Sequence, residues 1–206
     1  MKKNLVCIGN GSVAKISVEI LKNEKTYQNI KIIQIPNNFK DKKVFNNLVN
    51  KLRKNNETDF ILGFANIKLL EKNWEVFQFF KKKGVKFINI VDPSAIVNKS
   101  VKLGKGIKIY PGVIINTGCI IKDNVLINTG SVIDHDCKIS ENSQIAPGCR
   151  LAGNVKIGRS TFIGIGSSII QGVKIGKNCI VGAGSVVIKN IPNNSTYAGV
   201  PARKII

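Results

Sequence analysis

The chain contains one histidine, His135, and carboxylates flank it on both sides, at Asp134 and Asp136. A neutral imidazole accepts a proton near pH 7, and an adjacent carboxylate can fix its tautomer and strengthen it as a base. Asn128 lies seven residues earlier, and we expect its amide on the same face. Together these residues predict proton transfer from a bound acceptor, against the alternative that a lone histidine is incidental.

A second group of candidate residues follows the first apolar run of the chain. Gly9, Asn10 and Gly11 come directly before a predicted helix, whose N-terminus can receive a phosphate. A dinucleotide fingerprint would place a third glycine at Ala14, so a structural turn and a phosphate-binding turn both remain open. No acidic residue accompanies Asn37 after the second predicted strand, which argues against a nicotinamide cofactor.

The second half of the chain carries a strict six-residue repeat. A period of six fits neither a helix nor a single strand, and it predicts a parallel β-helix in which each hexapeptide forms one side of a coil. We expect the aliphatic column to fill the middle of that coil. Its members are Val97, Leu103, Ile109, Ile115, Ile121, Ile127, Ile133, Ile139, Ile145, Leu151, Ile157, Ile163, Ile169, Ile175, Val181 and Val187.

A second column precedes each member of the first by two residues. From Val101 to Ser185 it contains only Val, Cys, Ser and Thr, apart from Ile107, which predicts a tight inner corner. Four of the five cysteines lie in this column, at spacings too wide for a compact zinc site. We therefore interpret them as small buried residues of a reduced, cytoplasmic protein, and we expect no metal.

The first ninety residues alternate between strand and helix patterns. The apolar runs predict strands at 5–8, 30–35, 60–64 and 85–90, and helices at 13–21, 44–52 and 69–80. This alternation is typical of a small parallel α/β sheet, in which ligands bind at the carboxyl ends of the strands. His135, by contrast, lies outside both columns of the repeat and is expected on the outer surface of the coil.

Composition limits the partners. The chain has 206 residues and a formal net charge of +20, spread along the whole sequence without a basic tail. It has no apolar run long enough to span a membrane and no signal-peptide pattern. The run Lys81 to Lys83 lacks a recognisable nucleic-acid module, so we expect no nucleic-acid partner and a preference for small anionic ligands.

Several motifs resemble those of the hexapeptide-repeat sugar acetyltransferases, which fold as left-handed β-helices. The similar stretches are INTGSVIDHDC at 127–137, DPSA at 92–95, LAGNV at 151–155 and AGVPA at 198–202. They are most similar to the branch that acetylates nucleotide-linked 4-amino sugars or sialic acid. The resemblance implies a Rossmann-like nucleotide-sugar-binding domain at 1–91, followed by a left-handed β-helix at 92–206.

The resemblance also implies roles for individual residues. His135 would be the general base for acetyl transfer from acetyl-CoA, with Asp136 orienting its ring and Asp134 as the reserve candidate. Gln144 stands where the family often has a second histidine near the acetyl group. The remaining implied contacts are Asn128, Gly9, Asn10, Gly11, Asn37, Gly63 and Asn66 for the nucleotide sugar, and Gly153, Ile165, Gly182, Ala183 and Arg203 for the coenzyme.

These implications favour an N-acetyltransferase acting on the 4-amino group of a nucleotide-linked 4-amino-4,6-dideoxy sugar. An O-acetyltransferase for sialic acid or a related sugar is the alternative enzyme. A non-catalytic β-helical binding scaffold is the alternative of another class. The resemblance further implies a homotrimer with coenzyme sites between neighbouring subunits.

Overall fold

The structure is a computed structural model that describes residues 3–23, 27–34, 58–63, 65, 67 and 70–205. The chain divides into two compact units, Met1–Ile90 and Val91–Ile206. The predicted helix at 44–52 lies outside the described residues.

The first unit contains a parallel sheet with strand order β2-β1-β3 among the described strands. The side chains of Val6, Ile8, Phe60 and Leu62 pack with helix residues such as Phe77 in one apolar core. The described elements are β1 (Lys3–Ile8), α1 (Ser12–Asn23), β2 (Tyr27–Ile33), β3 (Thr58–Leu62) and α2 (Leu70–Lys82).

The predicted fourth strand at 85–90 is largely wrong. Within this segment only Phe87 pairs with the sheet, through an isolated bridge to Phe60. The apolar pattern has a different cause, because Val85 and Phe87 are buried in the core and the Phe87 ring stacks on Phe77 with centroids 4.6 Å apart. Burial of alternate side chains therefore produced a strand-like pattern in a segment that joins the sheet of the first unit only at Phe87, while its last residue, Ile90, begins a strand of the second unit.

The second unit is a parallel β-helix built from very short strands. Most strands have two residues, and up to β20 each is separated from the next by a four-residue turn. The strands are β4 (Ile90–Val91), β5 (Ile96–Val97), β6 (Lys102–Leu103), β7 (Lys108–Ile109), β8 (Ile114–Ile115), β9 (Ile120–Ile121), β10 (Leu126–Ile127), β11 (Val132–Ile133), β12 (Lys138–Ile139), β13 (Gln144–Ile145), β14 (Arg150–Leu151), β15 (Lys156–Ile157), β16 (Phe162–Ile163), β17 (Ser168–Ile169), β18 (Lys174–Ile175), β19 (Ile180–Val181), β20 (Val186–Val187), β21 (Thr196–Ala198) and β22 (Arg203–Lys204).

Three sheets form the sides of the coil, with eight, six and five strands among the described residues, and all described pairings are parallel except that of β21 with β22. Successive hexapeptides visit the three sheets in turn, so a residue pairs with the one eighteen positions later, as Ile127 does with Ile145 and Ile145 with Ile163. Three lines of turns connect the sheets. We call the turns from the six- to the five-stranded sheet corner 1, those from the eight- to the six-stranded sheet corner 2, and the remaining turns corner 3.

Both predicted columns lie inside the coil. Every member of the aliphatic column from Ile109 to Val187 is at most 3% exposed. The corner column is also buried from Ile107 to Ser185, and most of its hydroxyl groups donate to carbonyl oxygens of the next coil; for example, Ser131 Oγ donates to Ala146 O at 2.9 Å. Small polar residues fit these corners because the backbone itself satisfies their hydrogen bonds.

Corner 3 contains a ladder of buried amides. The Nδ2 atom of Asn124 donates to Asn142 Oδ1, and Asn142 Nδ2 donates to Ser160 Oγ, both at 2.9 Å. The ladder ends on the ammonium group of Lys108, which donates to Asn124 Oδ1 at 3.1 Å and is only 3% exposed. All three ladder residues have positive φ, and asparagine adopts this conformation more readily than most residues.

Candidate active site

His135 lies at corner 1, in the turn between β11 and β12. Asp136 has a φ of 59°. The turn at this residue brings its carboxylate back to the preceding ring, which a regular strand would prevent because neighbouring side chains there point to opposite faces. The distance from His135 Nδ1 to Asp136 Oδ2 is 2.9 Å. When the ring is neutral, Nδ1 donates to this carboxylate and Nε2 is left with its lone pair.

Asp134 makes different contacts. Its Oδ1 atom accepts the backbone N–H of His135 at 2.8 Å and the amide of Asn116 at 3.0 Å. These two donors lower the pKa of Asp134, with the Asn116 bond as the larger cause. Asp134 therefore binds the backbone of the turn, and the ring itself is contacted by Asp136.

The pKa of His135 is raised above its ordinary value. The hydrogen bond to Asp136 is the largest cause, and partial loss of solvent opposes it. The side chain keeps 42% of its surface exposed, so a substrate can reach it. A raised pKa makes the neutral ring a stronger base, provided that the pH is high enough to keep it neutral.

Two glycines make room for this pair. A Cβ atom on Gly153, eighteen residues after His135, would lie 2.4 Å from His135 Nε2, and one on Gly118, eighteen residues before Asp136, would lie 2.3 Å from Asp136 Oδ1. Both distances are far below van der Waals contact. The resemblance implies a coenzyme contact for Gly153, and in the structure the imidazole of His135 packs directly against this glycine.

Most of the other predicted residues of the β-helix lie away from His135 within one chain. Asn128 is at corner 2, where its Oδ1 atom accepts the backbone N–H of Thr129 at 2.8 Å. The expectation that it shares a face with His135 is therefore wrong for a single chain, because one further hexapeptide moves the chain to the next side of the coil. Ile165, Gly182 and Ala183 also lie at corner 2, after strands β16 and β19.

Gln144 and Arg203 lie on the eight-stranded sheet. Gln144 begins β13, pairs with Leu126 and Phe162, and is buried. Arg203 lies on β22 and is exposed, with Nη1 donating to Ala202 O at 3.3 Å. Neither residue shares corner 1 with His135.

The glycine turn of the first unit is at the carboxyl end of β1. Gly9, with a φ of 112°, precedes exposed Asn10 and Gly11, and α1 begins at Ser12. Gly63 follows β3 and serves packing, since a Cβ there would lie 2.7 Å from the Cβ of Ala14. Ala14 occupies the position of the third glycine in the dinucleotide fingerprint, and its methyl group fits because Gly63 has no side chain. The predicted contacts Asn37 and Asn66 lie outside the described residues.

All five cysteines are buried thiols. Burial is the largest cause of the raised pKa values of Cys149 and Cys179, so these thiols are poor nucleophiles. Among the described residues, no group of three His, Cys, Asp or Glu side chains is close enough to hold a metal ion. The candidate chemistry of the β-helix therefore centres on His135.

Sequence and structure comparisons agree with this description. Residues 118–153 and 154–189 match the family of bacterial transferase hexapeptide proteins, whose model describes six repeats. A comparison with curated proteins gave no significant match.

Several solved structures share the whole architecture. PerB from Caulobacter crescentus, in complex with CoA and GDP-perosamine, has 32% sequence identity and a TM-score of 0.87 over 98% of this chain and 96% of that chain. The acetyltransferase domain of PglB from Neisseria gonorrhoeae, in complex with acetyl coenzyme A, has 26% identity and a TM-score of 0.87 over 100% of both chains. WeeI from Acinetobacter baumannii has 23% identity and a TM-score of 0.83 over 98% of this chain and 100% of that chain, and it supports the fold alone.

A small parallel α/β sheet followed by a left-handed β-helix, shared with PerB over almost the whole chain, identifies the protein as an acyltransferase. The chain belongs to the hexapeptide-repeat family of bacterial transferases, in its branch of sugar acetyltransferases.

Proposed function

We propose that the protein transfers the acetyl group of acetyl-CoA to the 4-amino group of a nucleotide-linked 4-amino-4,6-dideoxy sugar, with His135 as the general base. The observation that carries the proposal is the His135–Asp136 pair, in which Nδ1 is bound and Nε2 is directed away from the carboxylate. The acceptor class is supported by likeness over almost the whole chain to PerB, whose structure holds CoA and GDP-perosamine.

The pair accounts for the proton that the reaction must move. The sugar amine attacks the thioester carbonyl carbon, the C–N bond forms and the C–S bond breaks. His135 Nε2 takes the proton that the attacking nitrogen loses, and the coenzyme leaves as a thiolate that is then protonated. Asp136 stabilises the imidazolium while it carries the proton.

The first unit supplies the proposed nucleotide site. Gly9, Asn10 and Gly11 lie at the carboxyl end of β1 and at the start of α1, where backbone N–H groups and the helix dipole favour a phosphate. We propose that the diphosphate of the nucleotide sugar binds there. Asn37 and Asn66 remain proposed contacts of the same ligand.

We also propose that the active unit is a homotrimer. Within one chain His135, Asp136 and Gly153 lie at corner 1, whereas Asn128, Ile165, Gly182 and Ala183 lie at corner 2, so a site that uses both corners needs a second subunit. Exposed isoleucines on the outer face of the six-stranded sheet favour such packing: Ile96 is 64%, Ile170 45% and Ile188 40% exposed. Ile165, at corner 2, is 59% exposed.

The acceptor can be tested with a panel of nucleotide-linked sugars. Purified protein is incubated with acetyl-CoA and 4-amino-4,6-dideoxy sugars on different nucleotides, and thiol release is measured together with the mass of the product. We expect release with at least one amino sugar and a product in which the nitrogen carries the acetyl group. Sialic acid and a 4-hydroxy analogue serve as controls; acetylation of an oxygen in preference to nitrogen would support the alternative O-acetyltransferase.

A further inference from the structure

One side of the β-helix carries an unbalanced set of cationic side chains, which we call the basic face. It consists of the outward residues of the five-stranded sheet and of the turns that follow its strands, all within the described part of the chain. Its exposed cationic residues are Lys102, Lys105, Lys122, Lys138, Lys156, Lys174 and Lys177. The carboxylates among these outward positions are Asp123 and Glu141, and Arg159 is partly exposed on the same face.

The lysines of this face are stacked on one another. Lys138 pairs with Lys156, and Lys156 pairs with Lys174, on adjacent strands of the sheet. Adjacent strands are about 4.8 Å apart, and like charges placed directly opposite each other are destabilising. None of the seven lysines forms a salt bridge within the described residues. Folding alone does not require this arrangement, because any polar side chain satisfies an outward position.

The other two sides of the coil differ. On its outward positions and in the turns that follow its strands, the six-stranded sheet has Lys99, Asp134, Asp136, Arg150 and Lys189, together with exposed isoleucines. On the central strands of the eight-stranded sheet, from β7 to β19, the one charged outward residue is Lys108, which is buried. Within the β-helix, the cationic side chains are thus concentrated on one of the three sides.

The chemistry of the basic face selects among anionic partners. Its outward positions include no aromatic residue on which a base could stack, and its flat sheet cannot enter the major groove of a duplex. A protein partner would need an apolar centre with few lysines, because lysine is depleted at the core of such interfaces. A flat array of mobile ammonium groups instead suits the headgroups of anionic lipids, for which clusters of four to eight basic residues are typical.

We propose that the basic face docks the protein on an anionic phospholipid surface. The contact is electrostatic and reversible, so it weakens as salt shortens the screening length. It requires no membrane-spanning element, and no helix in the described part of the chain is long and apolar enough to cross a bilayer. The proposal does not depend on which sugar is acetylated.

Vesicle sedimentation tests the proposal with two variants of equal net charge. The first combines Lys138→Gln, Lys156→Gln and Lys174→Gln, because glutamine keeps the sheet while removing the stacked charges. The matched control combines Lys31→Gln, Lys72→Gln and Lys86→Gln, which are exposed positions of the first unit. Acetyl transfer in solution is measured for both variants and is expected to equal that of the wild type.

We expect the wild type to sediment with vesicles that contain phosphatidylglycerol at about 0.05 M salt, and not with pure phosphatidylcholine. Loss of the three stacked lysines should weaken partitioning on the order of 100-fold, while the control stays within a few-fold of the wild type. Failure of the wild type to bind, or equal losses in the two variants, would overturn the proposal. The proposal would also be overturned if the protein bound transfer RNA more tightly than vesicles and if that RNA binding depended on the same three lysines.

Discussion

At the scale of single residues, the conformation of Asp136 decides how His135 is held. The carboxylate reaches Nδ1 because the chain turns at a left-handed residue, and aspartate is one of the residue types that tolerate this conformation. Asp134 does not contact the imidazole ring in this way; its carboxylate accepts from the Asn116 amide and from the backbone N–H of His135. The two flanking carboxylates therefore have separate tasks.

The ring can be observed directly, because the chain has one histidine. Since the bond to Asp136 is the largest cause of the raised pKa of His135, Asp136→Asn should lower that pKa in an NMR titration of the untagged protein. The neutral ring is the active form, so the acidic limb of the profile of kcat/KM against pH should move to lower pH. Asp134→Asn is the control. It should move the pKa and the acidic limb by less, because the charge of Asp134 is a smaller cause of the raised pKa of His135 than the bond to Asp136. A larger shift with Asp134→Asn would reverse the assignment.

Gly153 is predicted to act through the position of the ring. Its φ lies outside the left-handed region, so alanine is compatible with the backbone and its methyl group must displace the imidazole. Gly153→Ala should lower kcat about 100-fold, as expected for a misplaced base, with little change in the unfolding midpoint. The NMR titration of His135 should change as well, which a merely structural effect elsewhere would not produce.

The control for this substitution is Asn154→Gly, in the same turn. Asn154 is exposed and has a φ of 61°, so glycine fits and touches no part of the ring. Normal activity and an unchanged His135 titration in Gly153→Ala would show that the close packing has no role.

At the scale of elements, the six-residue register accounts for most of the β-helix. The identities of Ile133 and Ser131, for example, sufficed to place one in the middle and the other at a corner of the coil. Contacts between coils were harder to predict, because they join residues eighteen positions apart once the coil has three sides. Gly153 beneath His135 is one such contact, and the bond between Asn124 and Asn142 in the asparagine ladder is another.

The ladder at corner 3 gives a prediction for stability. Asn142 is 1% exposed and bonds to both of its neighbours in the ladder. Asn142→Gly keeps the left-handed conformation and leaves buried partners without their bonds, so it should cost about 1–3 kcal/mol in the free energy of unfolding. Denaturant unfolding followed by circular dichroism measures the loss. Asn154→Gly again serves as the control. If both substitutions lower the free energy of unfolding equally, the hydrogen bonds of the ladder do not stabilise the protein.

At the scale of the whole molecule, the sequence predicted an α/β unit followed by a β-helix. It did not predict which residues come together in one site. Asn128 and His135 are close in sequence and on different corners in space, because a coil turns between them. Their joint use in one reaction therefore depends on neighbouring subunits, which the repeat in a single sequence does not describe.

Assembly can be tested at the exposed isoleucines. Sedimentation equilibrium should give three times the 22.5 kDa mass of one chain. Ile170→Lys places a charge on the apolar outer face of the six-stranded sheet and should dissociate the assembly and reduce activity with it. Ile32→Lys, at a similarly exposed isoleucine of the first unit, should leave the mass unchanged. A monomeric and active wild type would contradict the trimer.

The measurement that tests the central claim most directly is the turnover number of His135→Ala with acetyl-CoA and the best acceptor of the panel. If His135 is the general base, kcat should fall about 10²–10⁴-fold, the acidic limb of the pH profile should disappear, and the unfolding midpoint should stay near that of the wild type. Activity of His135→Ala within a few-fold of the wild type, with the acidic limb intact, would contradict the assignment of His135 as the base.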